Sequence, residues 1–270
     1  MQPTMTNTKS VPAQTAITNT KTTNQLRQQL GIITKEPTHT LDSVRNKMRG
    51  LQEYSSLCEA SPIPQGQLDK ISSWNYLGQL FPGDPLLSIG GNYTRFHTRY
   101  TAEHQHQEST ACLGQIVPAA MTARTGLTAK NVPERGIVPK ISPRCNANTG
   151  PLYYVVYRNS TIDLDEQARG IIRVAATYRL AMVVHATPEV IEAWFPCGGW
   201  SHRQIKILQD VAAKYGSRSK NHISCQPFAV PGGRTYHERR ETFGPVQRVV
   251  YFDPAALGQQ TQETQETQAA

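Results

Sequence analysis

The chain has 270 residues, of which 38% are hydrophobic, and it carries a formal net charge of +8. This length leaves room for one substantial domain or two small ones. The sequence contains no apolar run of about 18 residues and no secretory leader, so we expect a cytoplasmic protein with no membrane partner. The positive charge favours anionic partners over cationic ones.

Both ends of the sequence are polar and lack a hydrophobic period. Residues 1–40 are rich in Thr, Asn, Gln and Lys, and residues 255–270 contain a Thr/Gln/Glu repeat. Such segments bury too little apolar surface to offset the entropy of ordering them. We therefore predict disordered tails at 1–40 and 255–270, an N-terminal region at 41–150 that packs on the core, and a core at 151–254.

The N-terminal region is predicted to begin with two helices. Apolar residues recur at helical spacing from Val44 to Leu57, after the candidate N-cap Asp42, and again from Leu68 to Phe81. Residues 113–117 are typical of a strand. Residues 118–150 contain several Pro and Gly breaks among basic residues, and this pattern predicts loops.

The core has clearer patterns. Strands are predicted at 152–157, 180–184, 190–195 and 247–252. One helix is predicted to start at Asp163 or Asp165 and to run to about Tyr178, and a second lies between the cap Ser201 and Gly216. The order strand, helix, strand, strand, helix, strand predicts an α+β fold with an RRM-like or ferredoxin-like βαββαβ core and an N-terminal helical and loop extension.

Several short stretches share their order with one protein family, along about residues 70–257. The stretches are Leu80–Leu87, Ile116–Met121, Thr125–Gly126, Ala147–Pro151, Ala193–Phe195, Cys225–Gln226, Pro231–Arg234 and Gln247–Pro254. Together they resemble the primase-like domains, related to the archaeo-eukaryotic primase-polymerase superfamily, of plasmid, phage and integrative-element replication proteins. The resemblance implies a role in DNA replication, often beside a replicative helicase.

The resemblance also implies where a catalytic site would be. Members of the superfamily use divalent metals to neutralise phosphate charge and to orient the attacking oxygen. Their metals are held by an acid-any-acid pair at the end of the first strand and by a third polar or acidic residue on a late strand. A His on the middle hairpin binds the nucleotide.

This sequence departs from that pattern at two places. Arg158 and Ser160 stand where the acid pair is expected, and Glu192 stands where the His is expected. A guanidinium repels a cation, so no metal is expected in the family's arrangement, and Arg158 could instead anchor a phosphate. A shifted site using Asp163 and Glu192, with Mg²⁺ or Mn²⁺, stays open. The other interpretation of Asp163 is a carboxylate favoured by the helix dipole.

Two basic segments are the main candidates for binding nucleic acid. Residues 124–144 hold five basic residues against one acidic residue, and residues 202–248 hold nine against three. Arginine and lysine bind phosphates, and interleaved aromatic residues stack on the bases of single strands. The alternative is that these charges are simply solvated. The predicted contacts to single-stranded DNA are Lys130, Arg135, Lys140, Arg144, Arg158, Arg234, Arg239 and Arg240.

The remaining candidate motif is a weak one for zinc. The five cysteines are widely spaced and are expected to be free thiols. Cys197, His202, His222 and Cys225 have the right atom types for zinc, but their spacing favours buried thiols and surface histidines. Apart from Mg²⁺ or Mn²⁺ in an active enzyme, no cofactor is expected.

Three hypotheses follow from the sequence. The first is a non-catalytic or weakly active primase-like protein that binds DNA in mobile-element replication. The second is an active primase or polymerase with a shifted metal site. The third is a structural module that joins a separately encoded replicative helicase, because the sequence has no G-x-x-x-x-G-K-[ST] motif of its own.

Overall fold

The computed structural model describes residues 52–92, 95–107, 113–132, 136–218, 225–237 and 242–257. The predicted cap Asp42, the tail at 1–40 and the C-terminal tail from residue 258 onward lie outside these ranges. The fold is α+β, with helices and several small antiparallel sheets. Among the described helices, none has the length and apolar character that crossing a bilayer requires.

The N-terminal part contains four short helices and two strands. They are α1 (52–59), α2 (Gln65–Leu68), α3 (Ser73–Leu80), β1 (Leu86–Gly90), β2 (Phe96–Tyr100) and α4 (Thr101–Gln107). The helix predicted from Leu68 to Phe81 is shorter than expected, because α2 ends at Leu68 and α3 begins only at Ser73. The break occurs because the Ser72 side chain accepts a hydrogen bond from the Asn75 N–H and starts a new helix there.

The strand predicted at 113–117 is present as β3 (Gln115–Ile116). The segment predicted as loops, 118–150, is mostly extended backbone. Its elements are β4 (Ala119–Met121), β5 (Gly126–Val132), β6 (Gly136–Ser142), a 3-10 turn (Asn146–Asn148) and β7 (Thr149–Leu152). Strands β5 and β6 form an antiparallel hairpin, and β4 pairs with β7. The loop prediction for 118–150 was wrong because Pro139 and the flanking glycines were taken as breaks, whereas the pairing tolerates them.

The C-terminal part contains the largest elements. They are β8 (Tyr154–Arg158), α5 (Leu164–Ala175), β9 (Met182–Thr187), β10 (Val190–Pro196), α6 (His202–Lys214), β11 (Phe228–Ala229), β12 (Arg234–His237), β13 (Thr242–Val246), β14 (Arg248–Phe252) and a 3-10 turn (Pro254–Ala256). Of the two candidate caps Asp163 and Asp165, the structure has the first, and the predicted cap Ser201 is confirmed. Asp163 caps α5, and Ser201 forms a capping box with Gln204 at the start of α6.

The central sheet contains four antiparallel strands in the order β14, β9, β10, β8. Helix α5 connects β8 to β9, and β10 lies between those two strands, which makes a split βαβ unit. Strand β14 pairs with β9. In a ferredoxin-like sheet, by contrast, the last strand pairs with the first, so β14 lies at the other edge. Strands β11 to β13 also interrupt the path from α6 to β14.

Both faces of the central sheet are covered. Alternate residues of β8 show this, because Val155 and Tyr157 pack with α5 and α6, whereas Tyr154 and Val156 pack with the N-terminal helices and a second sheet. The second sheet has the strand order β11, β3, β1, β2. A polar side chain in the middle of the central sheet is therefore buried unless it lies near a strand end.

Candidate functional site

Arg158 and Glu192 are directly opposite each other on β8 and β10. Arg158 Nη1 lies 3.3 Å from Glu192 Oε1, and the Ala229 N–H donates to Glu192 Oε2 at 2.7 Å. The Glu192 side chain is 2% exposed, whereas that of Arg158 is 24% exposed. Strand pairing thus brings together two of the three residues at which the sequence departs from the family pattern.

Burial dominates the electrostatics of this carboxyl. Burial raises the pKa of Glu192, while the Arg158 charge and the hydrogen bond from Ala229 oppose that rise. Both carboxyl oxygens have protein partners, and one partner is a cation. A divalent metal at this position would have to displace the guanidinium and overcome its repulsion.

The end of β8 is a turn tied to the end of α6. The Arg218 N–H donates to the Arg158 carbonyl at 2.7 Å. The Asn159 amide donates to the Gly216 carbonyl, and the Asn159 Oδ1 accepts from the Thr161 N–H. Ser160 lies on the exposed side of this turn. Arg158 is thus held from both its backbone and its side chain, and Ser160 is not part of the ion pair.

The acidic residues that follow have helix-starting roles. Asp163 Oδ1 accepts from the N–H groups of Asp165 and Glu166 at 3.1 and 2.9 Å. Asp165 is buried, and its Oδ1 accepts from the Tyr54 N–H at 2.9 Å. These bonds place Asp163 at the exposed helix start, while Glu192 is directed toward β11. The shifted-site hypothesis would need both carboxylates to leave these partners.

Another polar cluster joins α1 to the sheet edge. The Tyr54 hydroxyl and His185 Nδ1 are 2.8 Å apart, and Arg248 makes a bidentate pair with Asp69. Burial raises the pKa values of Tyr54 and Cys58 above their ordinary range. Both groups are therefore neutral near pH 7, which fits a structural contact better than an activated nucleophile.

The zinc candidates are in different surroundings. Cys197 is fully buried in the core beside α5 and α6, where burial raises the pKa of its thiol to about 12. His202 is exposed at the first position of α6, and His222 lies outside the described residues. The Cys225 carbonyl accepts from Arg144. Within the described ranges, the structure has no group of three or more His, Cys, Asp or Glu side chains placed to hold a metal.

The first basic segment forms the hairpin and its base. Lys130 and Lys140 lie in β5 and β6, and Arg135 falls between the strands, outside the described residues. Arg144 lies at the base, half-buried, with its guanidinium 4.3 Å from the centre of the Phe96 ring. Arg144 is thus a packing contact, whereas Lys140 is exposed to solvent.

Asn148 holds the two ends of the hairpin together. Its Nδ2 donates to the Ala123 and Pro143 carbonyls at 3.1 and 3.0 Å, and its Oδ1 accepts from the Cys145 N–H at 2.9 Å. The side chain is buried, with 1% exposure. Because Ala123 precedes β5 and Pro143 follows β6, one amide fixes both strands where they leave the body of the protein.

The second basic segment is only partly described. Arg234 is exposed at the start of β12, and its N–H donates to the Leu113 carbonyl at 3.0 Å. Arg239 and Arg240 lie outside the described residues. Arg234 thus has a fixed backbone and a solvent-facing side chain, as a phosphate contact requires.

The sequence reasoning missed the hairpin and the apolar side that it exposes. Leu127, Ile137 and Ile141 are 65%, 76% and 67% exposed. The available signal was two segments rich in β-branched residues around Pro133-Glu134-Arg135.

Comparisons of this chain with family models, with curated proteins and with solved structures found no match.

Proposed function

We propose that the chain is a non-catalytic, primase-like protein that binds DNA during the replication of a mobile element. The observation that carries the proposal is the Arg158–Glu192 ion pair, which occupies the position where the resemblance implies a metal and nucleotide site. An enzyme of that class needs carboxylates open to a cation. Here the carboxyl is bound to a guanidinium and to a backbone N–H.

The split βαβ unit supports the fold part of the proposal. Strands β8, β10 and β9 with helix α5 form a split βαβ unit, and such a unit is one part of an RRM-like core. The position of β14 and the inserted strands β11 to β13 distinguish this chain from the simple βαββαβ pattern. Because of these differences, we propose an RRM-like relationship for the split βαβ unit alone and not for the whole sheet.

Charge supports the binding part of the proposal. The chain carries a net charge of +8, and exposed cations lie on two separate elements, Lys140 on the hairpin and Arg234 on β12. Phosphate contacts by such side chains supply most of the sequence-independent affinity for DNA. Because the Arg158 charge is balanced by Glu192, we assign phosphate contact to Lys140 and Arg234 rather than to Arg158.

The first test is binding of a labelled single strand, measured by fluorescence anisotropy at several salt concentrations. We expect affinity to fall with salt, and the double variant Lys140→Gln/Arg234→Gln to lower the slope of log K against log salt by about 1.4, or about 0.7 for each phosphate that is no longer neutralised. Lys206→Gln is the matched control, since Lys206 pairs with Asp210 on α6. Absence of binding, or affinity that does not change with salt, would contradict the proposal.

The second test separates this proposal from an active primase. Primer synthesis on a single-stranded template with Mg²⁺ or Mn²⁺ is expected to give no product. Product formation that Asp163→Ala or Glu192→Ala abolishes would establish the shifted metal site and overturn the non-catalytic assignment. The replicative helicase implied by the resemblance stays a prediction, and pull-down without nucleic acid would test it.

A further inference from the structure

Strands β12 and β13 form an antiparallel ribbon that carries a pair of aromatic rings. Tyr236 and Phe243 are cross-strand partners, and their ring centres are 5.1 Å apart with an angle of 51° between the ring planes. Such a pair stabilises two strands, yet Phe243 remains 45% exposed. A large part of the Phe243 ring is therefore open to a ligand.

Arg234 lies on the same face of the ribbon as these rings. It is two residues before Tyr236 in β12, and alternate residues of a strand share a side. The intervening Thr235 faces the protein body instead, because its hydroxyl accepts a hydrogen bond from the amide of the buried Gln247 at 3.1 Å. The Arg234 side chain is exposed. A guanidinium and two aromatic rings thus share one surface.

An irregular register adds a fourth residue to this surface. Arg234 is opposite Val246 and Tyr236 is opposite Phe243, so β13 has one residue more than β12 between the two pairs. This bulge places Phe243 and Val246 on one face although they are three residues apart. Val246 is 46% exposed. We call these four residues the ribbon face. The described residues of the two strands include no Asp or Glu that could neutralise the Arg234 charge from within the ribbon.

The ribbon face is built on a fixed backbone. The Arg234 N–H donates to the Leu113 carbonyl at 3.0 Å, and the Tyr236 N–H donates to the Gly91 carbonyl at 2.8 Å. The strand runs so close to Gly114 that a Cβ there would lie 3.0 Å from the Arg234 carbonyl oxygen. A surface held in this way needs little ordering when a ligand binds, so less binding free energy is lost to entropy.

The chemistry of the ribbon face selects its ligand. A guanidinium attracts an anion, and exposed aromatic rings stack on flat ring systems. Nucleic acid offers both, because each nucleotide carries a phosphate and a base. Bases in a duplex are already stacked on their neighbours, whereas a single strand can present them to a protein. Arg234 and Tyr236 are about 7 Å apart along β12, at about 3.3 Å per residue, so one short strand can reach both.

We propose that the ribbon face is a stacking platform for single-stranded DNA, in which Phe243 and Tyr236 stack on bases and Arg234 contacts phosphate. This inference rests on the proposed function, to which it adds the surface that holds the strand and the part of the strand that it recognises. Stacking tolerates any sequence, because every base has a flat aromatic face. Binding should therefore depend on the presence of bases and not on their order.

The test uses the full chain and two labelled strands of about 16 nucleotides, one made of thymidines and the other abasic throughout. The strands have the same number of phosphates, so their affinities differ only through the bases. We expect the wild type to bind the thymidine strand more tightly by roughly fivefold to a hundredfold, which is the ratio that one stacked base gives. This ratio, the base preference, is measured on the unmodified protein and so does not depend on the folding of a variant.

Variants of Phe243 separate stacking from a structural role. Phe243→Leu keeps an apolar side chain against Tyr236 but removes the flat ring, so the base preference should fall by about fivefold or more while affinity for the abasic strand stays unchanged. Phe243→Trp should keep the preference, because indole also stacks. A purely structural role would instead weaken binding of both strands equally. Arg234→Gln should lower the salt slope by about 0.7 on both strands.

The matched control is Tyr100→Leu. Tyr100 is 46% exposed, as Phe243 nearly is, but the Arg124 guanidinium lies over its ring, 5.6 Å from the ring centre. Its ring face is therefore already occupied within the protein. The base preference of Tyr100→Leu should equal that of the wild type, and a loss as large as that of Phe243→Leu would contradict the assignment to the ribbon face.

The outcomes separate this inference from the proposed function. If the wild type binds both strands equally, or if Phe243→Leu keeps the base preference, while binding remains salt-dependent, the platform assignment fails and the DNA-binding proposal stands. If the wild type binds neither strand, both fail. If sedimentation shows that the wild type self-associates and that Phe243→Leu does not, the ribbon face is a contact between protein copies, and the platform assignment is overturned.

Discussion

Arg158 in the central sheet and Lys140 on the hairpin are both cationic side chains on strands, but one is largely buried and the other is exposed. Arg158 is 24% exposed and faces a carboxyl oxygen at 3.3 Å, whereas Lys140 faces solvent. The first charge is satisfied inside the protein, and the second is available to a partner. The comparison teaches that a cation's position in the sequence does not reveal whether it serves the fold or a ligand.

The difference also shows how the central sheet accommodates a buried carboxyl. The charged form of a buried carboxyl is favoured when a cation lies next to it. In this chain the cation is part of the protein, because Arg158 lies opposite Glu192. Four predictions test this division, starting with the largest effect.

Removing the guanidinium should cost the most stability. In Arg158→Leu the buried Glu192 carboxyl loses its countercharge, so we expect the free energy of unfolding at pH 7 to fall by about 3–5 kcal/mol. Urea denaturation followed by circular dichroism measures this change. Arg248→Leu is the matched control, because Arg248 pairs with the exposed Asp69 and its loss should cost less than about 1 kcal/mol. Equal losses in the two variants would remove the distinction between buried and exposed cations.

The cost of Arg158→Leu should depend on pH. Burial raises the pKa of Glu192 in the folded protein, so its contribution to stability is present below the unfolded pKa and is lost as the pH rises through the folded pKa. Without Arg158 the folded pKa is higher still. The penalty at pH 7 should therefore shrink toward about pH 4, where the unfolded carboxyl takes up a proton.

A second substitution checks the origin of that pH dependence. In the Arg158→Leu background, Glu192→Gln removes the titrating group while keeping a similar shape. Unfolding curves between about pH 4 and pH 7 should then lose the added slope. If the slope persists in the double variant, another group causes it, and Glu192 is not the buried charge that Arg158 stabilises.

Local sequence signals revealed much of the central sheet. The caps were predicted as Asp163 or Asp165 and as Ser201, because a capping side chain bonds to N–H groups only two or three residues away. The strands of the central sheet were found because their apolar composition reflects burial on both faces. The ion pair was not found. Its geometry depends on Ala229, which lies 37 residues from Glu192 along the chain.

The strands of the N-terminal sheet and of the hairpin were not predicted from the sequence, for two different reasons. In β1 and β2 buried polar residues such as Ser88 and Thr98 interrupt the apolar alternation on which strand prediction relies. In the hairpin, the apolar residues face water, so the pattern does not mark a core-facing side. Pro139 within β6 further weakened the signal, although the cross-strand register accommodates it.

Loosening the base of the hairpin should have an intermediate effect. Asn148→Ala leaves the Ala123 and Pro143 carbonyls without their amide donor, so we expect a loss of about 2 kcal/mol. Hydrogen exchange should speed up across residues 126–142 and stay unchanged in β8 to β10. Asn148→Asp is the informative companion, since it keeps an acceptor for the Cys145 N–H but removes both donors. Unchanged exchange in the hairpin would show that Asn148 does not anchor it.

The smallest effect should come from Asp163. In Asp163→Ala the N–H groups of Asp165 and Glu166 lose their acceptor, which should cost about 1 kcal/mol. Asp163→Asn keeps a capping oxygen and removes only the charge, so it should cost less. A metal ligand would behave differently, because an amide is a poor substitute for a carboxylate at a divalent cation. Unfolding in the presence and absence of Mn²⁺ distinguishes the two roles. A cap gives the same ranking with and without metal, whereas metal-dependent stabilisation that Asp163→Asn removes would make Asp163 a ligand and reopen the catalytic hypothesis.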